Sequence, residues 1–295
     1  MAGTIVTVGT FDGVHLGHRR VLEEIAHRAR RSSGRSVLVT FEPHPLEVVN
    51  PQAAPLLLTL PDERREILVQ SELDLLVVLA FTRELSQYDP EAFVRLLLDR
   101  LELRELVIGH DHGFGRGRVG DVGVLRELGA RLGFAVDVVD AVAVDGRPVS
   151  STLVRRAIAG GDLELAHRLL GRRYSMTAAV VRGAGRGRQL GYRTINLAPV
   201  NSRKLLPPEG VYAVQVEWSN GAAGGMMHQG PRPTFGEPEP SLEIHLLDAQ
   251  ADLYGRWVKV AWVTRLRDII RFPSAEALKA QLDRDFKAAR AALTG

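Results

Sequence analysis

The sequence predicts a two-domain protein, an α/β domain with a parallel sheet followed by a small antiparallel β-barrel domain that ends in a helix. In the first half of the 295 residues, short apolar runs alternate with amphipathic stretches. In the second half, strand-like stretches are separated by turns rich in Gly, Pro and Asn. The length fits two domains of roughly 100–200 residues each. We place the boundary near Arg172, which predicts domains of residues 1–172 and 173–295.

The candidate strands of the first half are mostly apolar rather than alternating, as expected where helices cover both faces of a sheet. They are Ile5–Val8, Val37–Phe41, Leu75–Leu79, Leu106–Ile108 and Val136–Val139. The amphipathic stretches between them are Arg19–Arg30, Asp62–Ser71, Pro90–Arg100 and Gly123–Leu132. Strands that alternate with helices form right-handed βαβ units and a parallel sheet, which binds ligands at the carboxyl ends of its strands.

Two short helices precede the second pattern, and they are predicted over Thr152–Ala159 and Leu163–Leu170. The strand-like stretches that follow are Ala178–Val181, Val211–Trp218, Leu242–Leu247 and Trp257–Thr264. They predict an antiparallel sheet or barrel. Ser274 is a candidate N-cap for a last helix. The apolar stripe of that helix consists of Leu278, Leu282, Phe286, Ala289 and Leu293.

Composition excludes several kinds of site. The chain has no cysteine, so disulfides, thiolate metal sites and cysteine nucleophiles are excluded. We expect a cytoplasmic protein, because no signal peptide and no apolar run of membrane-spanning length is recognisable. The formal net charge is only +3, and the arginines are scattered with few aromatic residues among them. We therefore expect no nucleic-acid partner, and phosphate-bearing small substrates explain the arginines at least as well.

The first candidate site is the segment TVGTFDGVHLGH, residues 7–18, which follows the first strand and opens the first helix. Its glycines permit close backbone approach and unusual dihedral angles. His15 and His18 are three residues apart, so they share one face of the helix start. A helix N-terminus favours anions, and two imidazoles there can donate hydrogen bonds to a phosphate. The alternative is a glycine turn with two surface histidines.

This segment resembles the HxGH signature of nucleotidyltransferases, and in particular the form found in prokaryotic FAD synthetases. Three further segments match that family in order: TFEPHP at residues 40–45, GHDHGFG at 109–115 and SSTLVR at 150–155. The resemblance implies a Rossmann-like domain that transfers an adenylyl group from ATP to FMN. In that family the domain is usually fused to a riboflavin kinase.

The resemblance also implies roles for individual residues. His15 and His18 would contact the ATP phosphates and stabilise charge on the reacting α-phosphate. Ser151 and Thr152 would hold the triphosphate, and Arg155 would steady the departing pyrophosphate. The remaining nucleotide- or flavin-binding candidates of this domain are Gly9, Phe11, Asp12, His44 and Asp111. For His44, a rigid loop residue and a substrate contact are equally good interpretations.

The second candidate site begins with the glycine-rich loop RGAGRGRQLG, residues 182–191. Such a loop can bind phosphates through backbone N–H groups, or it can be a flexible connection. With YRTIN at 192–196, LPPEGVYA at 206–213 and LEIHLLD at 242–248, the series resembles the riboflavin kinase domain, a small antiparallel barrel. The loop residues that would bind ATP are Gly183, Gly185, Arg186 and Gly187.

By the same resemblance, Thr194 and Asn196 would bind magnesium and an ATP phosphate. Oxygen ligands of this kind suit a hard cation. Glu243 would be the general base that takes the proton of the ribityl 5′-hydroxyl. Arg267 and Phe272 are candidate flavin contacts, although an exposed arginine and a core phenylalanine explain them equally well.

Two departures from the family pattern leave an alternative open. Arg193 stands where the family has proline, and His228 stands where it usually has asparagine. The main hypothesis is a bifunctional enzyme that makes FMN from riboflavin and FAD from FMN, with ATP and Mg²⁺. The alternative is a monofunctional FAD synthetase whose barrel is a flavin-binding or regulatory module. The HxGH core alone also allows nucleotidyl transfer to another phosphate.

Overall fold

The computed structural model describes residues 3–109, 122–183, 194–232, 237–249 and 251–294. The chain divides into two compact units, Met1–Leu153 and Val154–Gly295. The division falls inside the helix Ser151–Ala159, whereas the sequence places a domain boundary near Arg172. That boundary stays a prediction.

The first unit is built on a five-stranded parallel sheet, which confirms the predicted α/β class. All neighbouring strands in it run parallel, in the order β3-β2-β1-β4-β5. The strands are β1 Thr4–Val8, β2 Arg35–Glu42, β3 Leu75–Ala80, β4 Leu103–Gly109 and β5 Ala135–Val139. Every residue of β1 is buried, as its apolar sequence predicts for a strand at the centre of the sheet.

Helices cover both faces of this sheet. The helices are α1 Leu16–Ser32, α2 Pro45–Val49, α3 Pro61–Val69, α4 Pro90–Leu101 and α5 Val122–Leu132. Buried residues of α1 and α3, such as Ile25 and Leu68, form one apolar cluster with the sheet. Residues of α4 and α5, such as Phe93 and Leu125, form the cluster on the opposite face. The short strands β6, Ala143–Val144, and β7, Arg147–Pro148, pair with each other before α6, Ser151–Ala159.

An ion network fixes α1 against the sheet. Arg28 of α1 bonds Glu24 one turn earlier at 2.8 Å. It also pairs with Glu105 of β4 and Asp137 of β5. Because a guanidinium group presents several donors in one plane, a single side chain joins the helix to two neighbouring strands. The start of α1, which carries the two histidines, is therefore held on a rigid element.

The second unit contains a closed antiparallel barrel, as the turn-separated strands predict. Its strands are β8 Ser175–Val181, β9 Thr194–Leu197, β10 Gly210–Trp218, β11 Gly221–Arg232, β12 Glu237–Leu246 and β13 Trp257–Arg267. They close in the order β10-β11-β12-β9-β8-β13. The helix α7, Leu163–Leu170, precedes the barrel, and α8, Ala275–Thr294, follows it. The predicted N-cap of α8 is confirmed, since Ser274 Oγ accepts a hydrogen bond from the backbone N–H of Ala277 at 3.2 Å.

Residues of the barrel strands alternate between its interior and an outer face covered by α8. Tyr212, Met227 and Ile244 are paired across β10, β11 and β12, and all three are fully buried in the barrel. Their chain neighbours Val211 and Met226 instead pack with α8 residues, among them Leu282, Phe286, Ala289 and Leu293. Large side chains such as these occupy the barrel interior, so the candidate site residues described below lie on its outer face.

Two strands of the barrel were not predicted from the sequence, and neither was the short pair β6 and β7. Strand β11 contains GAAGGMMHQG, whose glycines and alanines have low strand propensity. It forms because it pairs along its length with β10 on one side and β12 on the other. Strand β9 has only four residues and is held by β12 and β8. In both cases tertiary pairing decides the conformation.

Candidate active sites

The first candidate site lies where the order of the parallel sheet reverses. Strand β1 has β2 on one side and β4 on the other, so the connections leaving β1 and β4 proceed in opposite directions. Open α/β sheets bind ligands at the carboxyl ends of the strands beside such a reversal. Residues 9–18 leave the carboxyl end of β1 and lead into α1. The predicted placement of this turn is therefore observed.

His15 and His18 lie face to face at the start of α1. Their ring centroids are 3.6 Å apart and the ring planes differ by 14°. His15 is the N-cap of the helix, and its Nδ1 accepts a hydrogen bond from the backbone N–H of His18 at 3.3 Å. When His15 is neutral, this bond places its proton on Nε2, the ring nitrogen that would donate to a phosphate. The helix start adds its own preference for anions.

Close packing shapes the turn that carries the histidines. Phe11 and Val14 have φ angles of 48° and 38°, which residues other than glycine rarely adopt. The ring of Phe11 is buried, 4.5 Å from the ring of His18. A Cβ atom at Gly9 would lie 2.9 Å from the Phe11 ring, so glycine is needed for this approach. Gly9 and Phe11 thus support His18 by packing, and their contact with a nucleotide or flavin stays a prediction.

Asp12 is part of the frame of the turn. It is only 1% exposed. Its carboxylate accepts hydrogen bonds from the backbone N–H groups of Leu58 and Thr59 at 3.0 and 2.9 Å, and from the Thr59 hydroxyl at 3.0 Å. Gly13 N–H in turn donates to the Thr59 hydroxyl at 3.0 Å. With three donors satisfied inside the protein, this carboxylate serves the geometry of the turn, and a direct ligand contact stays a prediction.

The start of α6 is joined to the same turn. The hydroxyl of Ser151 donates to the backbone carbonyl of Asp12 at 2.9 Å. Its single proton is therefore used within the protein, and only its lone pairs and the helix start remain for a ligand. Thr152 is exposed, and Arg155 lies one turn further along the same helix and is partly buried. The predicted triphosphate contacts of these three residues stay predictions.

The TFEPHP segment, residues 40–45, includes the end of the neighbouring strand β2 and leads into α2. Its His44 is the N-cap of α2 and accepts a hydrogen bond from the backbone N–H of Leu46 through Nδ1 at 3.2 Å. This capping role supports the rigid-loop interpretation. Asp111, the last candidate of this domain, lies outside the described residues.

The second candidate site is a row of side chains on the outer face of the barrel. Asn196 of β9 is paired with Glu243 of β12, which is paired with His228 of β11. Residues paired directly across antiparallel strands point to the same face. In the adjacent row, Thr194 is paired with His245. The structure thus brings together the predicted metal ligands and the predicted base, which the sequence separates by about fifty residues.

Gly183, two residues after the end of β8, lies against the side chain of Asn196. A Cβ atom at this position would lie 2.1 Å from Nδ2 of Asn196 and 2.6 Å from its Oδ1. No side chain can therefore replace this glycine while Asn196 keeps its position. The other loop candidates, Gly185, Arg186 and Gly187, and the departing residue Arg193 lie outside the described residues.

We expect Gly183→Ala to lower the riboflavin kinase rate by about 10²-fold, because the Asn196 amide must turn away from the site. Steady-state FMN formation from riboflavin measures this loss. Adenylyl transfer to supplied FMN is the internal control, since it uses the other unit and should keep its parental rate. A kinase rate equal to that of the parent protein would contradict the placement of Asn196 in the site.

Arg267 ends strand β13 and contacts Phe272. The Arg267 guanidinium binds the buried carboxylate of Asp285 on α8, with Nε–Oδ2 and Nη2–Oδ2 distances of 2.9 and 2.8 Å. The Phe272 ring centroid is 5.7 Å from the guanidinium carbon. Arg267 is therefore an anchor for α8. The flavin contacts of both residues stay predictions.

The residues around Asn196 fit a magnesium site of the kind that nucleotide-dependent kinases use. Mg²⁺ takes one or two protein oxygens and completes its shell with substrate phosphates and water. Thr194 and Asn196 offer a hydroxyl and an amide oxygen next to the Glu243 carboxylate. Within the described residues, no group of three or more His, Cys, Asp or Glu side chains forms a self-sufficient metal site. An ion here would therefore depend on ATP for most of its ligands.

Sequence reasoning missed three residues that shape these sites. Thr59 and Arg64 support the histidine turn, and Asp285 anchors Arg267. Arg64 lies four residues before the buried Leu68, and Asp285 lies between Leu282 and Ala289 at helical spacing, so the overlooked signal is a charged residue on the apolar face of its helix.

Two family models cover most of the chain. The model for FAD synthetase matches residues 1–153, and the model for riboflavin kinase matches residues 170–293. Among curated relatives, a "Bifunctional riboflavin kinase/FMN adenylyltransferase" of Pseudomonas fluorescens is 40% identical over 98% of this chain and 93% of its own length. A protein of the same name from Escherichia coli strain K12 is 36% identical over 98% of this chain and 92% of its own.

A solved structure from Streptococcus pneumoniae has the same fold, although its title names a macrolide-efflux protein. It is 30% identical in sequence and superposes with a TM-score of 0.88, covering 98% of this chain and 94% of the other. In the described part of the present chain, no helix is both long and apolar enough to span a membrane.

These comparisons confirm the predicted combination of two domains. The relatives match nearly the whole chain, and each family model covers one of the two candidate sites. The chain belongs to the family of bifunctional riboflavin kinases/FMN adenylyltransferases.

Proposed function

We propose that this chain carries out two successive reactions with ATP. The barrel unit phosphorylates riboflavin to FMN, and the α/β unit transfers an adenylyl group from a second ATP to FMN, which gives FAD and pyrophosphate. The observation that supports both halves is the presence of two separate sites in one chain. One is the stacked histidine pair at the sheet reversal, and the other is the row formed by Asn196 and Glu243.

For adenylyl transfer, the chain has to position two phosphates and neutralise charge. An oxygen of the FMN phosphate attacks the α-phosphorus of ATP, the bond to the bridging oxygen breaks, and pyrophosphate leaves. The FMN phosphate is already a nucleophile, so no covalent intermediate with a protein side chain is needed. His15 Nε2–H and the His18 ring donate hydrogen bonds where negative charge accumulates on the α-phosphate. The packing of Phe11 and the hydrogen bonds of Asp12 keep these donors in place.

In the kinase reaction, the oxygen of the ribityl 5′-hydroxyl attacks the γ-phosphorus of ATP, and ADP leaves. Glu243 accepts the proton of that hydroxyl. Thr194 and Asn196 would hold Mg²⁺ together with the ATP phosphates. When bound, the ion neutralises phosphate charge. Because Asn196 is paired directly with Glu243, the base is adjacent to the residues that orient ATP.

Incubation of the purified protein with riboflavin, ATP and Mg²⁺ tests both halves of the proposal. We expect FMN to form first and FAD to follow, as separated by liquid chromatography with fluorescence detection. A parallel incubation starts from FMN. FAD from FMN but no product from riboflavin would contradict the kinase half and support the monofunctional alternative. FMN without FAD in both incubations would contradict the adenylyl-transfer half.

A further inference from the structure

Arg64 is a buried arginine of α3 that bonds both loops of the adenylyl-transfer site. It is only 5% exposed. Nη1 donates to the backbone carbonyl of Thr10 at 2.8 Å, and Nη2 donates to the carbonyl of Phe41 at 2.9 Å. Nη2 also bonds the Glu42 carboxylate at 3.1 Å. One guanidinium group thus connects two segments that are about thirty residues apart in sequence.

The connected segments are the ones that carry the site. Thr10 precedes the turn that ends in His15 and His18. Phe41 and Glu42 end β2 and belong to the TFEPHP segment. Since β1 and β2 are parallel neighbours, both segments leave the sheet at the same edge. The position of one loop relative to the other therefore depends on the group that bonds both.

The turn after β1 needs such external support. Phe11 and Val14 have positive φ angles, and a backbone in these regions persists only when its surroundings hold it. The Thr10 carbonyl is held by two donors, since the Thr40 hydroxyl also bonds it, at 3.2 Å. On the other side of the turn, the Asp12 carboxylate is bonded to Leu58 and Thr59, just before α3 begins. The start of α3 thus supports the turn at two separate points.

The chemistry of Arg64 suits positioning better than general stabilisation. Its planar fork reaches three acceptors at once, which a lysine ammonium on a single flexible stem does not reproduce. Its Nε is also buried and has no hydrogen-bond partner among the described residues. A buried charge with an unpaired donor contributes less to stability than a well-packed apolar side chain of similar size.

We infer that Arg64 is a positioning residue for adenylyl transfer, which sets the histidine turn against the loop after β2. This inference rests on the proposed adenylyl-transfer function. Arg64 acts through the backbone of Thr10 and Phe41, and it does not itself touch the substrates. The kinase reaction, in the other unit, does not depend on it.

Arg64→Lys and Arg64→Met test this inference, with Arg65→Met as the matched control. Arg65 is the next residue on the same helix, and its side chain is 48% exposed beside Asp62. We expect both Arg64 variants to lose about 10²-fold in kcat for FAD formation from supplied FMN. The KM for ATP should change less than kcat, because the donors remain present but misplaced. Arg65→Met should keep the parental rate.

The kinase rate of the same preparations separates positioning from unfolding. We expect FMN formation from riboflavin to stay within twofold of the parent in every variant. A selective loss of FAD formation that Arg64→Lys does not restore supports the inference. Parental FAD formation in Arg64→Met would overturn it, and so would a parallel loss of both activities. If the parent protein itself makes no FAD from FMN, the proposed function has failed and not the role of Arg64.

Discussion

Replacing His18 with alanine should leave a protein that makes FMN from riboflavin but converts it to FAD about 10²- to 10³-fold more slowly. The size of this effect follows from removing one preorganised donor to a phosphate whose charge changes during the reaction. The substitution also removes the ring that stacks on His15 at 3.6 Å and leaves the Phe11 ring without its neighbour. Time courses of both flavins from riboflavin, ATP and Mg²⁺ measure the two rates in one experiment.

His27→Ala is the matched control for His18→Ala. His27 lies on the same helix and is exposed, away from the turn. The variant His27→Ala should keep both rates, and this result would show that loss of an imidazole from α1 is not itself harmful. FAD formation at the parental rate in His18→Ala would remove the histidine pair from the mechanism. Slow formation of both flavins would indicate a general loss of folded protein instead.

The second large effect is expected for Glu243→Gln, which should lower the rate of FMN formation from riboflavin by about 10²- to 10⁴-fold. General-base catalysis contributes factors of this size, and glutamine has the shape of glutamate without its basicity. Pairing with Asn196 and His228 through the backbone ladder is preserved, so the site should keep its structure. Adenylyl transfer should remain, and the variant should therefore make FAD when FMN is supplied.

Glu217→Gln is the matched control, because Glu217 is an exposed carboxylate on strand β10 of the same barrel. We expect it to phosphorylate riboflavin at the parental rate. A kinase rate for Glu243→Gln within threefold of the parent would show that another group removes the hydroxyl proton. If both Glu243→Gln and Glu217→Gln lost kinase activity, the net charge of the barrel would matter more for this activity than the position of the base.

Local patterns were sufficient for most of the fold. Continuous apolar runs such as that of β1 predicted central strands, and the capping residue Ser274 predicted the start of the last helix. The same patterns failed for β11, because its glycine-rich sequence becomes a strand only through its partners β10 and β12. Pairings between distant segments are not encoded in local propensity.

The candidate sites show the same division. His15 and His18 are only three residues apart, so helical spacing alone placed them on one face. Asn196 and Glu243 were assigned to one site only through the family resemblance, since nothing local in either strand indicates their pairing. Arg64 was overlooked although it is four residues from the buried Leu68, because the sequence does not show which backbone carbonyls a buried arginine will bond.

The alternation of strand residues between the barrel interior and its outer face divides two structural roles between neighbouring positions. Along β11, Met227 points into the packed interior, whereas the next residue, His228, lies in the row that contains Glu243. A truncation of Met227 would leave a cavity in the core of the barrel. A substitution of His228 would instead change the surroundings of Glu243 and the bonds of its ring to the carbonyls of Gly230 and Pro231. The environment of the proposed base can therefore be altered one residue away from the core without removing a core side chain.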